Sequence, residues 1–165
     1  MKRFSYHLKK WITPYATDSF LINLFLFVPR AIMGALLAFV YAPDKIGTPW
    51  TPKELQLSFL EVSDEFVAYI AYQEYPFDTM PHLFAWSIGF LEAFGGLLLI
   101  LGLNTRITAF LVFLTMTMSI FFRKWDGTWD IIPVFSFFCL GLFFFGFGSG
   151  KWGLDYYLTR ESVTL

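Results

Sequence analysis

Two long apolar stretches each carry one ionisable residue near the middle: Arg30 in FLINLFLFVPRAIMGALLAFVYA and Glu92 in PHLFAWSIGFLEAFGGLLLILGL. A lone charge in hydrocarbon costs about 2.5–3.5 kcal/mol on insertion scales, so two opposite charges at matching depth point to each other. Counted from the ends at which the chain enters, Arg30 lies about ten residues in and Glu92 about eleven, near the midplane at about 1.5 Å per residue. The spacing predicts a charge-assisted ion pair between the first two helices. Such a pair either fixes helix register or lines a polar pocket for a quinone head group, an anion or a proton. A buried pair often adds no net stability over apolar substitutes, which favours use over packing alone. Lys45, just beyond the first stretch in Tyr41-Ala42-Pro43-Asp44-Lys45, is an interfacial anchor unless it folds back over the bundle, where it joins the same ligand-binding set.

The elements that must position these residues follow from hydropathy. The 165 residues are 56% apolar and 15% charged, against about 25% charged in soluble domains, which identifies an integral membrane protein. At about 20 residues per crossing, four spans are expected within a single membrane domain, residues 1–165. They cover about 20–42, 81–103, 106–122 and 129–147. The first is a retained helix; no small-residue cleavage site follows it. Only Asn104-Thr105 separates the second and third, which predicts an antiparallel hairpin. Gly34, Gly89, Gly95 and Gly96 offer places for close backbone approach. In the first outer loop, Thr51-Pro52-Lys53-Glu54 reads as a capping box with Pro at the first helical position. Leu55, Phe59, Val62, Phe66 and Ile70 then recur at helical spacing, predicting an amphipathic helix over about 52–72 that caps the bundle, lies on the membrane or docks a partner. The fold class expected is therefore all-α: a four-transmembrane-helix bundle with one extra amphipathic helix. Lys2, Arg3, Lys9, Lys10, Arg106, Lys151 and Arg160 fall on one side, against Lys45, Lys53, Arg123 and Lys124 on the other. The basic excess places both termini in the cytoplasm of a cell with a bacterial or archaeal inner membrane.

Several chemistries are excluded by residue type. No basic stripe interleaved with aromatics suggests nucleic acid. Cys139 stands alone in an apolar run, so this chain by itself holds no disulfide or iron–sulfur cluster, and a buried, inert thiol is expected. His7 and His82 fall on opposite sides, which argues against a bis-histidine haem, and no transition-metal cage is offered. Gly146-Phe147-Gly148-Ser149-Gly150 lacks the strand-to-helix setting of a phosphate loop and reads as the exit from the last helix.

The pattern resembles the DoxX family of small four-helix membrane proteins. The resemblance rests on Arg30 with Gly34, on Lys45, and on Glu92-Ala93-Phe94-Gly95-Gly96 through Gly102-Leu103-Asn104-Thr105-Arg106. It closes on Gly148-Ser149-Gly150-Lys151-Trp152-Gly153-Leu154-Asp155, so it runs over about residues 24–158. It implies a subunit serving membrane oxidoreductases; some relatives belong to thiosulfate:quinone oxidoreductase. On that reading the chain binds no cofactor unaided, a quinone is the candidate ligand, and lipid and other membrane or periplasmic subunits are the partners. The competing readings are a structural or assembly subunit without chemistry and a small transporter, which four helices could form only as an oligomer.

Overall fold

The computed structural model describes residues 14–73, 75–122 and 131–160. The first helix, α1 (Phe20–Tyr41), starts where the Ser19 hydroxyl accepts a hydrogen bond from the Ile22 N–H, one of the donors a helix start leaves unpaired. A short helix, α2 (Asp64–Ala71), precedes α3 (Pro81–Leu101), α4 (Thr105–Phe122) and α5 (Ile131–Phe147); α6 (Leu154–Arg160) comes last. The described residues are helix and loop, with one isolated bridge between Ile46 and Val62. By length and composition α1 and α3 are able to cross a membrane; α4 and α5 are somewhat shorter apolar helices. Their outer faces expose Phe25, Ile32, Val40, Phe110, Phe121 and Phe135, an apolar exterior of the kind that lipid accommodates and water does not. Inward, Leu26, Met33 and Leu37 of α1 meet Leu99, Val112, Met116 and Phe144 in one core. A second core under the first loop joins Ile46, Val62, Ile70 and Phe77 to Ala85 and Ala93 of α3.

Small residues set the contact between α1 and α3. A Cβ on Gly34 would lie 2.5 Å from the Gly96 carbonyl oxygen, and one on Gly96 would lie 2.6 Å from the Gly34 carbonyl oxygen and 2.8 Å from the Ala38 nitrogen. The two backbones therefore touch, as small-residue helix pairs in membranes do. Both helices also loosen to a π-turn, at Leu37–Tyr41 in α1 and Leu91–Gly95 in α3, and these two turns face each other across the contact. Such one-turn π segments recur at functional sites.

Two expectations are corrected here. The continuous helix over 52–72 is instead a single 3₁₀ turn, Lys53–Leu55, then an irregular run, then α2. Gln56 and Leu60 take the left-handed conformation, which ends any helix started at Pro52. The Thr51 hydroxyl is drawn to the Ile46 carbonyl, at 3.1 Å, and to Thr48, so it caps nothing. Leu55 and Phe59 are consequently exposed, whereas Phe66, Val67 and Ile70 on α2 turn inward. Cys139 is exposed on α5, not buried. The expected exit from the last apolar helix is found: α5 ends at Phe147, Gly148 and Gly150 take positive φ, and the separate α6 starts only at Leu154. The start of the fourth apolar stretch at Trp129 and Asp130 lies outside the described residues, as do His7 and six of the cations behind the charge bias: Lys2, Arg3, Lys9, Lys10, Arg123 and Lys124.

The close contact makes a direct prediction. Gly96→Ala should lower the thermal midpoint of the purified protein, by the equivalent of about 1–3 kcal/mol, because the methyl meets backbone that cannot yield. Gly146→Ala, whose methyl meets nothing within 4 Å, should be neutral or stabilising. Equal losses in the two variants would show that the α1–α3 approach is not the tight one.

Candidate functional site

Glu92 sits in the π-turn of α3 and is almost wholly buried. Its two oxygens accept hydrogen bonds from Lys45 Nζ, each at 2.6 Å. Lys45 reaches it from the loop after α1, folding back over the bundle to a residue 47 positions later. Its backbone is held on both sides: Lys45 N–H donates to the Ala42 carbonyl and Ser63 N–H donates to the Lys45 carbonyl, both at 2.9 Å. The adjoining Ile46–Val62 bridge and the mutual bonds of Gly47 with Leu60 and Glu61 extend this support. Gly89, one helical turn before Glu92, lets the loop lie on α3; a Cβ there would stand 3.1 Å from Ile46 Cβ and 3.7 Å from Lys45 Cβ. Lys45 Nζ also lies over the Phe66 ring, 5.3 Å from its centroid, a further attraction for the cation.

Arg30 is elsewhere, and the expected Arg30–Glu92 ion pair is corrected. The guanidinium, fully buried, donates from Nη1 to the Leu99 carbonyl at 2.8 Å and from Nη2 to the Trp152 carbonyl at 3.2 Å. Leu99 lies seven residues beyond Glu92 on α3, about 10 Å along the axis at 1.5 Å per residue. Depth counting failed because it aligned helix starts. The Gly34–Gly96 contact shifts α1 so that its first turns run past the end of α3, where the closing loop packs instead: Trp152 meets Phe20 and Phe27 edge-on, at 5.3 and 5.9 Å. The acidic group acting on Arg30 is Asp155. Its carboxylate accepts from the N–H groups of Asn104, at 2.7 Å, and Thr105, at 2.9 Å, capping α4 from fifty residues away.

Leu99 accepts a second donor as well, the N–H of Gly102. That bond and Leu103 N–H to the Leu98 carbonyl form a Schellman end, for which Gly102 adopts φ +69°. A side chain at Gly102 would also collide with Arg30. Arg30, Gly102, Gly153 and Asp155 are thus one staple joining α1, the α3–α4 turn and the closing loop.

The two charged clusters differ in what surrounds them. Beside Lys45–Glu92 lies a cavity of about 380 Å³ where the two cores meet, bounded by α1, α2, α3, α4 and α5. Its walls are mostly apolar and aromatic, with Tyr41, Phe66 and Phe137 among them; Tyr69, Gln73, Thr115 and Ser119 add uncharged polar groups. Tyr41 and Phe137 pack edge to face at 5.5 Å. A largely apolar concavity with a few convergent polar groups is the usual form of a small-molecule site. Of the three residues expected to bind ligand, the structure brings Lys45 and Glu92 together on this cavity and leaves Arg30 outside it. Tyr41, Phe66 and Gln73 were not anticipated, since aromatics abound in the chain and nothing marks these. Thr115 and Ser119 carried a usable signal: hydroxyls four residues apart on one face of an apolar helix.

The DoxX family model matches residues 26–125, more than half of the chain. The chain belongs to the DoxX family and is a membrane protein. The matched stretch takes in Arg30, Lys45 and Glu92 but ends before the Gly148–Asp155 segment, short of the coverage expected. No curated protein and no solved structure matches the chain.

Two predictions follow from this geometry. In a double-mutant cycle on thermal stability, Lys45→Met and Glu92→Gln should couple by about 0.5–3 kcal/mol, whereas Arg30→Met and Glu92→Gln should add to within about 0.5 kcal/mol. Equal coupling in both cycles would contradict the register. Glu61, outside the apolar helices, accepts the Ser58 N–H at 2.8 Å, which holds its carboxyl below the ordinary glutamate range. A depressed carboxyl contributes stability above its unfolded value and loses it as pH falls through the folded one. The protection factors of the Gly47 and Leu60 amides should therefore fall in that acid range, and Glu61→Gln should flatten the response; an unchanged profile in Glu61→Gln would remove Glu61 as the cause.

Proposed function

We propose that the chain is a multi-pass subunit of the inner membrane in a bacterial or archaeal cell, with four spans and both termini cytoplasmic. It serves a membrane redox complex by offering a quinone head-group site at Lys45 and Glu92. The observation that carries this reading is the ion pair on the wall of a largely apolar cavity. Lys45 donates a hydrogen bond to a quinone carbonyl, and Glu92 exchanges protons with the bound ring. Reduction of one quinone consumes two electrons and two protons. The electrons come from a redox partner subunit, one proton passes through Glu92, and the second reaches the other quinone oxygen from water. The orientation is supported by the Lys/Arg excess that the sequence puts on one side, of which Arg106 and Lys151 are among the described residues.

In the assembled complex, Glu92→Gln should lower quinone reduction about a hundredfold or more, the usual contribution of a positioned proton-transfer group, while leaving assembly intact. Full turnover in that variant would exclude a proton role for Glu92. A second reading, an assembly subunit without chemistry, draws on the Arg30–Asp155 staple, which binds three parts of the chain and lies outside the cavity beside Lys45 and Glu92. It is separated by the charge-swapped Lys45→Glu/Glu92→Lys pair: restored assembly with full quinone turnover would mean that the ion pair acts only in packing.

A further inference from the structure

The cavity has a second polar pole on α4, and the two poles together specify a ligand. Lys45 carries three N–H donors. Two are engaged by Glu92 Oε1 and Oε2, and the third is available to a ligand. On α4, the Thr115 hydroxyl is committed as a donor to the Leu111 carbonyl at 2.9 Å, so towards the cavity it can only accept. Ser119, one turn further, also lines the cavity, is part-buried and makes no hydrogen bond among the described residues. Its O–H is a free donor. The rings of Tyr41, Phe66 and Phe137 line the same cavity.

The charge balance narrows the ligand further. Lys45 and Glu92 are the only charged residues among those described on the cavity walls, and each neutralises the other. An anion drawn to Lys45 would bring its charge beside the Glu92 carboxylate, which already lies 2.6 Å from the same Nζ, and would be repelled by it. A cation drawn to Glu92 meets the same objection from Lys45.

We propose that the cavity is a two-pole site for an uncharged ring bearing hydrogen-bond acceptors on opposite edges, one held by Lys45 Nζ and the other by Ser119 Oγ. This rests on the quinone reading above and deepens it. Small oxyanions are excluded, so any sulfur oxyanion oxidised by such a complex is handled on another subunit. Ser119 is then a specificity-determining residue: it recognises the second acceptor.

The test uses the full chain in lipid nanodiscs and two probes of nearly the same shape, 1,4-naphthoquinone and the monoketone 1-tetralone. The wild type should bind naphthoquinone about 5- to 10-fold more tightly, the ordinary worth of one additional hydrogen bond. Ser119→Ala should erase that preference while leaving tetralone affinity unchanged, which also controls for folding. Millimolar thiosulfate should not compete. Naphthoquinone binding that depends on Lys45 but ignores Ser119→Ala, or competition by thiosulfate, overturns the two-pole site and leaves the quinone reading standing. Naphthoquinone binding undiminished in the charge-neutral double variant Lys45→Met/Glu92→Gln, or no saturable binding in the wild type, overturns the quinone reading itself.

Discussion

The contact of Gly34 with Gly96 sets the register on which the rest of the structure depends. With two backbones touching there, residues above and below on α1 and α3 are paired by geometry, and no side-chain attraction can slide them. Glu92 falls opposite the π-turn of α1, and the nearest cation able to reach it is Lys45, returning from the loop. Arg30 falls opposite Leu99, at the Schellman-capped carbonyl end of α3, where the Leu99 carbonyl takes the guanidinium as a second donor beside the Gly102 N–H. The pairing of charges is thus decided by packing of glycines, and the charges take the partners that packing leaves them.

Two segments distant in sequence then pack on α3. Midway along it the loop from Lys45 to Ser63 lies on Gly89, held by backbone hydrogen bonds and the Ile46–Val62 bridge. At its carboxyl end, Asp155 and Trp152 bring the closing loop to the α3–α4 turn and to Arg30. Both segments use backbone groups that a bare helix pair would leave without partners. A buried helix end without such partners would be costly, so these loops are part of the bundle and not decoration on it.

Hydropathy made the apolar helices legible, along with the short α3–α4 turn and the glycines of the α1–α3 contact. It also isolated Arg30, Lys45 and Glu92 as the residues to explain. What it could not convey was relative translation of the helices. Counting depth from the start of each apolar run assumes that the runs begin level, and the first turns of α1 in fact extend beyond α3 to pack against Trp152 and Asn23's neighbour Lys151. The loop after α1 misled for a different reason. Leu55, Phe59 and Val62 have helical spacing, but periodicity cannot register Gln56 and Leu60 in the left-handed conformation or Thr51 spent on Ile46. Thr115 and Ser119 acquire meaning only once α4 is placed against the cavity.

The contrast between the two charged clusters bears on why the chain keeps four ionisable groups in such apolar surroundings. Arg30 donates to two carbonyls, its counter-charge Asp155 is spent on two backbone N–H groups, and the bonds of each tie separate segments together; packing accounts for them. Lys45 and Glu92 are different. Their pair joins no helix ends, and the loop that carries Lys45 is already held by its own backbone bonds and by Ile46 in the second core. An apolar pair of similar size would fill the same space without the desolvation of two charges, and such replacements are often neutral or stabilising. What an apolar pair would remove is the polar wall of the cavity. The packing argument that explains Arg30 therefore leaves Lys45 and Glu92 unexplained, and under the proposed quinone site their place on the cavity wall is what the pair is kept for.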